Sequence, residues 1–323
     1  MSVTGVDLVA LEGRKLSYSI VALTFDRNHL LERLLAELQV FAQAGAQIIV
    51  VDNASGTPVE TVTRRHPGVS LIRSPRNLGA AGRNLGFAAA TGDIVICLDD
   101  DVHSLSRDTF ERLQEIFADA SVAAVNFKVL EEGSGRIVNW VHHRSVDKFA
   151  DATFETYEIT EGAVAFRRSV LQRVGGYPES FFLSHEGPDL ALRIMDLGAR
   201  VIYHPAISVS HSFAPEGRPS WRKYYYDTRN TLWLAARNLP ALYGMRLVAR
   251  QTLAMLVYSV RDGYIGWWSK GIWDGVRGLP AAWNARREVS LETMRRIRRI
   301  DSFRPPLLYQ LRRRLFSRAS MRL

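Results

Sequence analysis

Three consecutive aspartates, Asp99, Asp100 and Asp101, end the apolar run of "DIVICLDDDV". Ionised carboxylates at the end of a buried strand repel one another and lose hydration, so the triplet calls for a positive partner. A hard divalent cation answers that need. Mg²⁺ and Mn²⁺ take oxygen ligands, and Mg²⁺ commonly binds one or two carboxylates together with substrate phosphates. The Asp-x-Asp pair Asp99 and Asp101 is the candidate metal set; a solvated turn closed by aspartates is the alternative.

Other chemically equipped stretches flank the triplet. "RNLGAAGRNLG" (76–86) puts Gly79, Gly82 and Gly86 in and near a helix opening, where free N–H groups and the helix dipole favour phosphate. The same glycines suit close helix-to-sheet packing, Gly86 above all. A dinucleotide fingerprint would follow a first strand, whereas this stretch follows the third, which argues against a nicotinamide or flavin site. "VVDNAS" ends the second strand with Asp52 and Asn53, acceptors for a nucleobase or ribose, or else an Asx turn. In "HEGPDLALR", Glu186 and Asp189 stand at the N-terminus of a helix with Pro188 in its first turn and Gly198 as its stop. Asp189 there is either reactive or a first-turn charge stabilising its helix.

The elements that must position these groups follow from periodicity. Apolar runs at 18–25, 46–52, 69–74 and 93–99 alternate with helical patterns. Continuous apolar strands between amphipathic helices predict an α/β fold, a mostly parallel Rossmann-like sheet with helices on both faces and ligands beyond the carboxyl ends of the strands. Residues 1–215 read as the catalytic domain, and 216–323 as a helical extension rich in aromatics and arginine. The chain has 323 residues, 47% hydrophobic and 23% charged, which excludes disordered and fibrous classes. Its single Cys97 lies inside an apolar run, the N-terminus lacks a signal-peptide pattern, and no apolar run reaches bilayer length; a cytoplasmic protein is expected.

Taken in order, these motifs resemble the family 2 inverting nucleotide-sugar glycosyltransferases of the GT-A fold. The resemblance rests on "VALTFDRN", "VDNAS", the N-x-G-x-x-x-x-N-x-G stretch from Asn77 to Gly86, "GDIVICLDDD", "GAVAFRR" and "EGPDLALR", over roughly residues 18–211. Rhamnosyl- and galactofuranosyl-transferring members look most similar, judged by "YYYDTRNTLWL". The resemblance implies a nucleotide-sugar donor held by Thr24, Asp52, Asn53, Asn77, Gly79, Arg83, Asp99, Asp100 and Gly162. It implies a metal, Mg²⁺ or Mn²⁺, on Asp99 and Asp101, with His211 completing the site and His204 as competitor. Many members carry Glu-Asp before x-Asp-Leu, the second acid serving as general base. Gly187 occupies that place here, so Glu186 is the first choice for the base and Asp189 the second.

Net charge is +9, and residues 286–323 alone hold twelve arginines against three acids. An anionic partner for the tail is therefore expected, a lipid surface rather than nucleic acid, for which no motif is present. "LETMRRIRRI" and "LLYQLRRRLF" read as amphipathic helices for the inner face of the cell membrane, with Trp267, Trp268 and Trp273 as anchors. A helix docked on the catalytic domain is the alternative. The acceptor implied is a glycan or a lipid-linked glycan of the cell envelope. Other readings are a sugar nucleotidyltransferase, which would need a glycine-rich loop after the first strand, and a non-catalytic membrane- or polyanion-binding protein.

Overall fold

The computed structural model describes residues 14–212 and 221–305. Four strands form the parallel half of one sheet: β1 (Tyr18–Thr24), β2 (Gln47–Asp52), β3 (Val69–Arg73) and β4 (Ile94–Asp99). They are joined by α1 (Asn28–Gln43), α2 (Glu60–Thr63) and α3 (Arg83–Ala89). Their order is β3-β2-β1-β4, every pair parallel. Along β1 and β4 alternate side chains enter opposite cores: Val21, Val95 and Cys97 face one cluster, Ile20, Ala22, Ile96 and Leu98 the other. Both faces of the sheet are thus covered, as period-two strands between amphipathic helices require.

The second half is mixed. After β5 (Val102–His103) and α4 (Thr109–Phe117) come β6 (Val122–Glu131), α5 (Val146–Phe149), β7 (Phe154–Glu155), β8 (Ala163–Arg167), α6 (Arg168–Val174), α7 (Glu186–Asp196) and β9 (Arg200–His211). The sheet continues β4-β8-β6-β9-β5, with β7 on β9. Strand β8 runs antiparallel to both β4 and β6, while β6 and β9 are parallel. Six of the nine strands share one direction, so the sheet is mostly parallel as expected.

Five helices follow: α8 (Trp221–Asn238), α9 (Ala241–Arg261), α10 (Ile265–Arg277), α11 (Leu279–Asn284) and α12 (Leu291–Asp301). The proposed domain boundary at 215 and the segment "LLYQLRRRLF" lie outside the described residues. For "LETMRRIRRI" the docked alternative is the one adopted. Met294, Ile297 and Ile300 of α12 are buried in the core shared with α7 and β8, leaving Leu291 exposed. No described helix is long and apolar enough to cross a membrane.

Candidate active site

The carboxyl ends of β1, β2 and β4 bring the acids together. Thr24 pairs in register with Asp52, and Leu23 with Asp99. The Thr24 hydroxyl donates to Asp100 at 2.8 Å, and one nitrogen of Arg27, Nη1, donates to Asp100 at 3.1 Å and to Asp101 at 2.7 Å. Burial pushes the Asp100 carboxyl up to about 7 while Arg27 pulls it down. Asp99 is paired instead with Arg83, in the first turn of α3. It lies against Gly162, where a Cβ would stand 2.3 Å from its Cγ, and Gly162 has φ +80°. Only glycine admits that approach in that conformation.

Strand β9 delivers His211 opposite Val102 of β5, with Nε2 3.5 Å from Asp101 Oδ1. His204 lies seven residues earlier, where its ring accepts from the Ala206 amide and faces Arg112, so His211 is the histidine that joins the aspartates. Among the described residues no three His, Cys, Asp or Glu side chains form a metal-binding group. The expected trio therefore divides: Asp101 and His211 stand together, and Asp99 goes with Arg83. A carboxylate beside an imidazole at this spacing fits two positions on one Mg²⁺ or Mn²⁺ ion, whose remaining positions suit phosphate oxygens.

The glycine-rich stretch is held by Asn53. Its amide donates to Asn77 Oδ1 and to the Gly79 carbonyl, each at 3.0 Å, while its oxygen accepts from the Leu78 amide at 2.9 Å. A Cβ on Gly79 would stand 1.9 Å from the Phe182 carbonyl, and one on Gly86 would stand 2.3 Å from Val21. Asn53, Asn77 and Gly79 thus shape the loop that aims α3, and Gly86 takes its packing role. Asp52, fully buried, accepts from the Ser55 amide at 2.8 Å, which is the Asx turn, and faces Arg73 at 3.4 Å.

At the opening of α7 the two candidate bases separate. Asp189 is fully buried between Arg193, at 2.7 Å, and Arg237, at 2.9 Å. A carboxylate sealed in two ion pairs cannot receive an acceptor's proton, so the second choice for the base is corrected: Asp189 fastens α7 to α8. Glu186 is buried with Oε2 lacking a hydrogen bond, and burial pushes it up to about 7. Beside it stands an acid that motif reading missed, Glu161, the residue before Gly162.

Residues 19–175 match the family model for Glycosyl transferase family 2. This region is a family 2 glycosyltransferase domain. Over 210 residues the chain is 33% identical to the pre-mycofactocin glycosyltransferase of Mycobacterium tuberculosis, covering 61% of this chain and 43% of that protein. Over 193 residues it is 25% identical to the O-antigen chain rhamnosyltransferase WbaN of Salmonella anatum, covering 56% and 61%. The chain thus spans roughly half the length of these curated relatives. In fold it is similar to a mannosyltransferase from Pyrobaculum calidifontis solved with GDP-Man and Mn²⁺ (TM-score 0.55, 18% identity, 83% of this chain and 88% of that one). It is similar also to S. aureus TarS with UDP-GlcNAc (TM-score 0.58, 14% identity, 89% of each).

The loop that leads into α7 is strained, with positive φ at Phe182, Ser184 and His185. Helix α8 holds it. Asn230 donates to the carbonyls of Phe181, Leu183 and Ser184 at 3.0, 2.7 and 2.7 Å, and Arg229 donates to Phe181 at 2.7 Å. Besides Glu161, two residues of this site escaped sequence reading, Arg27 and Asn230. The signal for Arg27 was a lone cation directly after the first strand; for Asn230 it was a polar run, "DTRNT", inside an aromatic helix.

Proposed function

We propose that this chain is a glycosyltransferase that moves a sugar from a nucleoside-diphosphate sugar to a hydroxyl of a glycan or lipid-linked acceptor in cell-envelope glycan synthesis, by an inverting displacement. The observation that carries this reading is the convergence of Thr24, Arg27, Arg83, the three aspartates and Gly162 at the carboxyl ends of the strands of a family 2 domain. The relatives named for glycosyl transfer, and the fold neighbours solved with nucleotide sugars, support the same donor class.

In the displacement the acceptor oxygen attacks the anomeric carbon on the face opposite the diphosphate. The bond from that carbon to the diphosphate oxygen breaks, and its electron pair leaves with the diphosphate. The acceptor proton passes to the neighbouring carboxylates Glu186, at the opening of α7, and Glu161, in the turn before β8. Arg27 and Arg83 are placed to meet negative charge growing on the leaving group. Asp101 and His211 would hold a divalent cation, which when bound supplies further charge neutralisation there. Asp100 is the acid on the ribose side, while Asp52, fully buried in its Asx turn, shapes the strand end beside the base. The exposed faces of α9 and α10 rest on an anionic membrane surface at the cytoplasmic side, bringing a lipid-linked acceptor to the site.

The test is a panel of nucleotide sugars with and without Mn²⁺, read first as thermal shift and then as transfer. A ligand bound only by the folded chain at 100 times its Kd adds about 2.7 kcal/mol of stability. Asp101→Ala is expected to remove the Mn²⁺-dependent part of that shift and to abolish transfer. Undiminished Mn²⁺ dependence in this variant would refute the metal assignment.

A further inference from the structure

Position 187 lacks a side chain, and the space that one would fill is taken. A Cβ built on Gly187 would stand 2.2 Å from Glu161 Oε1 and 3.2 Å from its carboxyl carbon. The carboxylate of Glu161 therefore occupies the place from which residue 187 of α7 would project. It arrives there from a distant part of the chain, the turn before β8, which is fixed by the Thr160 amide donating to Asn126 Oδ1 at 2.7 Å. Its neighbour Gly162 is the residue packed on Asp99, so the same turn that seats Asp99 presents Glu161.

Three carboxylates compete for the proton-accepting role, and only one is both reachable and uncommitted. Asp189 is consumed by Arg193 and Arg237. Glu186 is 3% exposed and its Oε2 is sealed. Glu161 is partly exposed, and among the described residues its carboxylate is held by no other side chain: it meets its own backbone amide and feels the charge of Arg83. We infer that Glu161 is the catalytic base of this enzyme, standing in for an acid absent at position 187, and that Glu186 is its positioning neighbour. Burial first, and then the nearby charge of Glu186, raise the Glu161 carboxyl above the usual range, so a proton it has taken is held more tightly than by an ordinary glutamate.

The inference rests on the glycosyltransferase reading and makes its last step specific. As the acceptor oxygen bonds to the anomeric carbon, its proton moves to the Glu161 carboxylate, while the bond to the diphosphate breaks and keeps its electron pair on the leaving oxygen. Any nucleophile without a proton to lose would escape the need for Glu161.

That escape supplies the experiment. Donor turnover is followed as nucleoside diphosphate released, with Mn²⁺ and whichever of GDP-mannose, UDP-N-acetylglucosamine or a rhamnose nucleotide shifts the melting temperature most. Glu161→Gln and Glu161→Ala are expected to lower kcat by roughly 100-fold or more, leaving the donor-induced thermal shift and donor KM within about twofold. Glu186→Gln is expected to lose less. Azide should raise turnover of Glu161→Ala at least tenfold, giving a glycosyl azide, and should leave the wild type nearly unchanged. Glu161→Ala combined with Gly187→Asp should recover part of the loss, because the shorter residue at 161 removes the nearest obstacle to a side chain at 187 and leaves the Ile159 carbonyl, 3.0 Å from its Cβ, as the remaining tight contact. Gly187→Asp alone, forced against Glu161, should not turn over faster than the wild type. Turnover of Glu161→Gln within about threefold of the wild type overturns the assignment. So does a large loss that neither azide nor the paired substitution relieves, since that pattern marks a structural role. If no nucleotide sugar shifts the wild-type protein, the donor reading itself fails and the base falls with it.

Discussion

Asp100 carries the clearest pH consequence in the site. Its carboxyl is pushed up to about 7, first by burial, with Arg27 and Thr24 working in the opposite direction. The folded chain therefore holds this proton more tightly than the unfolded one, whose carboxylate titrates near 3.9. Stability from this group is present below about pH 4 and lost as pH rises towards 7, by up to about 4 kcal/mol. Asp100→Asn removes the penalty, so its urea midpoint should gain more at pH 8 than at pH 4.5; an equal effect at both would mean an ordinary, unburied carboxylate. The acids were legible because three in a row at a strand end have few uses. Their partners were not. Arg27 reaches Asp100 across 73 positions of sequence, and Glu161 meets Gly187 only because β8 enters the sheet beside β4. A single sequence shows the charge and hides the counter-charge, since pairing depends on how distant strands are ordered.

At the scale of elements, the turn between residues 180 and 185 is where order is most dearly kept. Three non-glycine residues there hold positive φ, each costing on the order of 1–3 kcal/mol, and fully buried Asn230 ties three of the turn's carbonyls to α8. Asn230→Ala leaves those carbonyls short of a donor and should cost about 1–3 kcal/mol in chemical denaturation. Because the turn aims Glu186 and the start of α7, donor turnover should fall at least tenfold while unfolding stays cooperative. A destabilised variant with wild-type kcat would show that α8 merely packs. The first four strands lie within one residue of their sequence-based bounds, each being a continuous apolar run between helices. Strand β9 extends well past the run "ARVIYHP" to His211, through a register shift opposite Asn126 and Lys128 that no local pattern announces. The aromatic and polar run of α8 was visible as composition, but its work on the turn before α7 needed the packed structure.

For the molecule as a whole, charge and apolar surface separate in a way the tail's sequence only half suggested. Of the two stripes read as membrane-facing, that of α12 is spent on the catalytic core, so deleting residues from 286 onward would uncover that core and could not test lipid binding. Of the three tryptophans, Trp267 stacks on Trp221 at 4.0 Å and Trp268 donates to the Thr252 carbonyl at 3.0 Å, leaving Trp273, 68% exposed, to face outward. Its neighbours are the stripe that sequence reading passed over. Leu242, Met245, Leu253, Val257 and Val260 are exposed along α9, opposite buried Gly244 and Met255, and Ile265 and Val276 are exposed on α10. Arg246, Arg250 and Arg277 stand exposed beside them, and α9 contains no acid. An apolar face edged by arginine is the pattern of helices that lie in a lipid interface, where each cation near an anionic surface adds about 1 kcal/mol. The full chain should co-sediment with phosphatidylglycerol vesicles and much less with phosphatidylcholine alone. Leu253→Glu with Trp273→Glu should release it from both, whereas Arg246→Glu with Arg250→Glu should abolish only the preference for the anionic lipid. Donor turnover in solution should survive all four changes, since none touches the aspartate cluster. Binding that ignores lipid charge, or that outlasts the glutamates on α9 and α10, would move the membrane contact to another face of the protein.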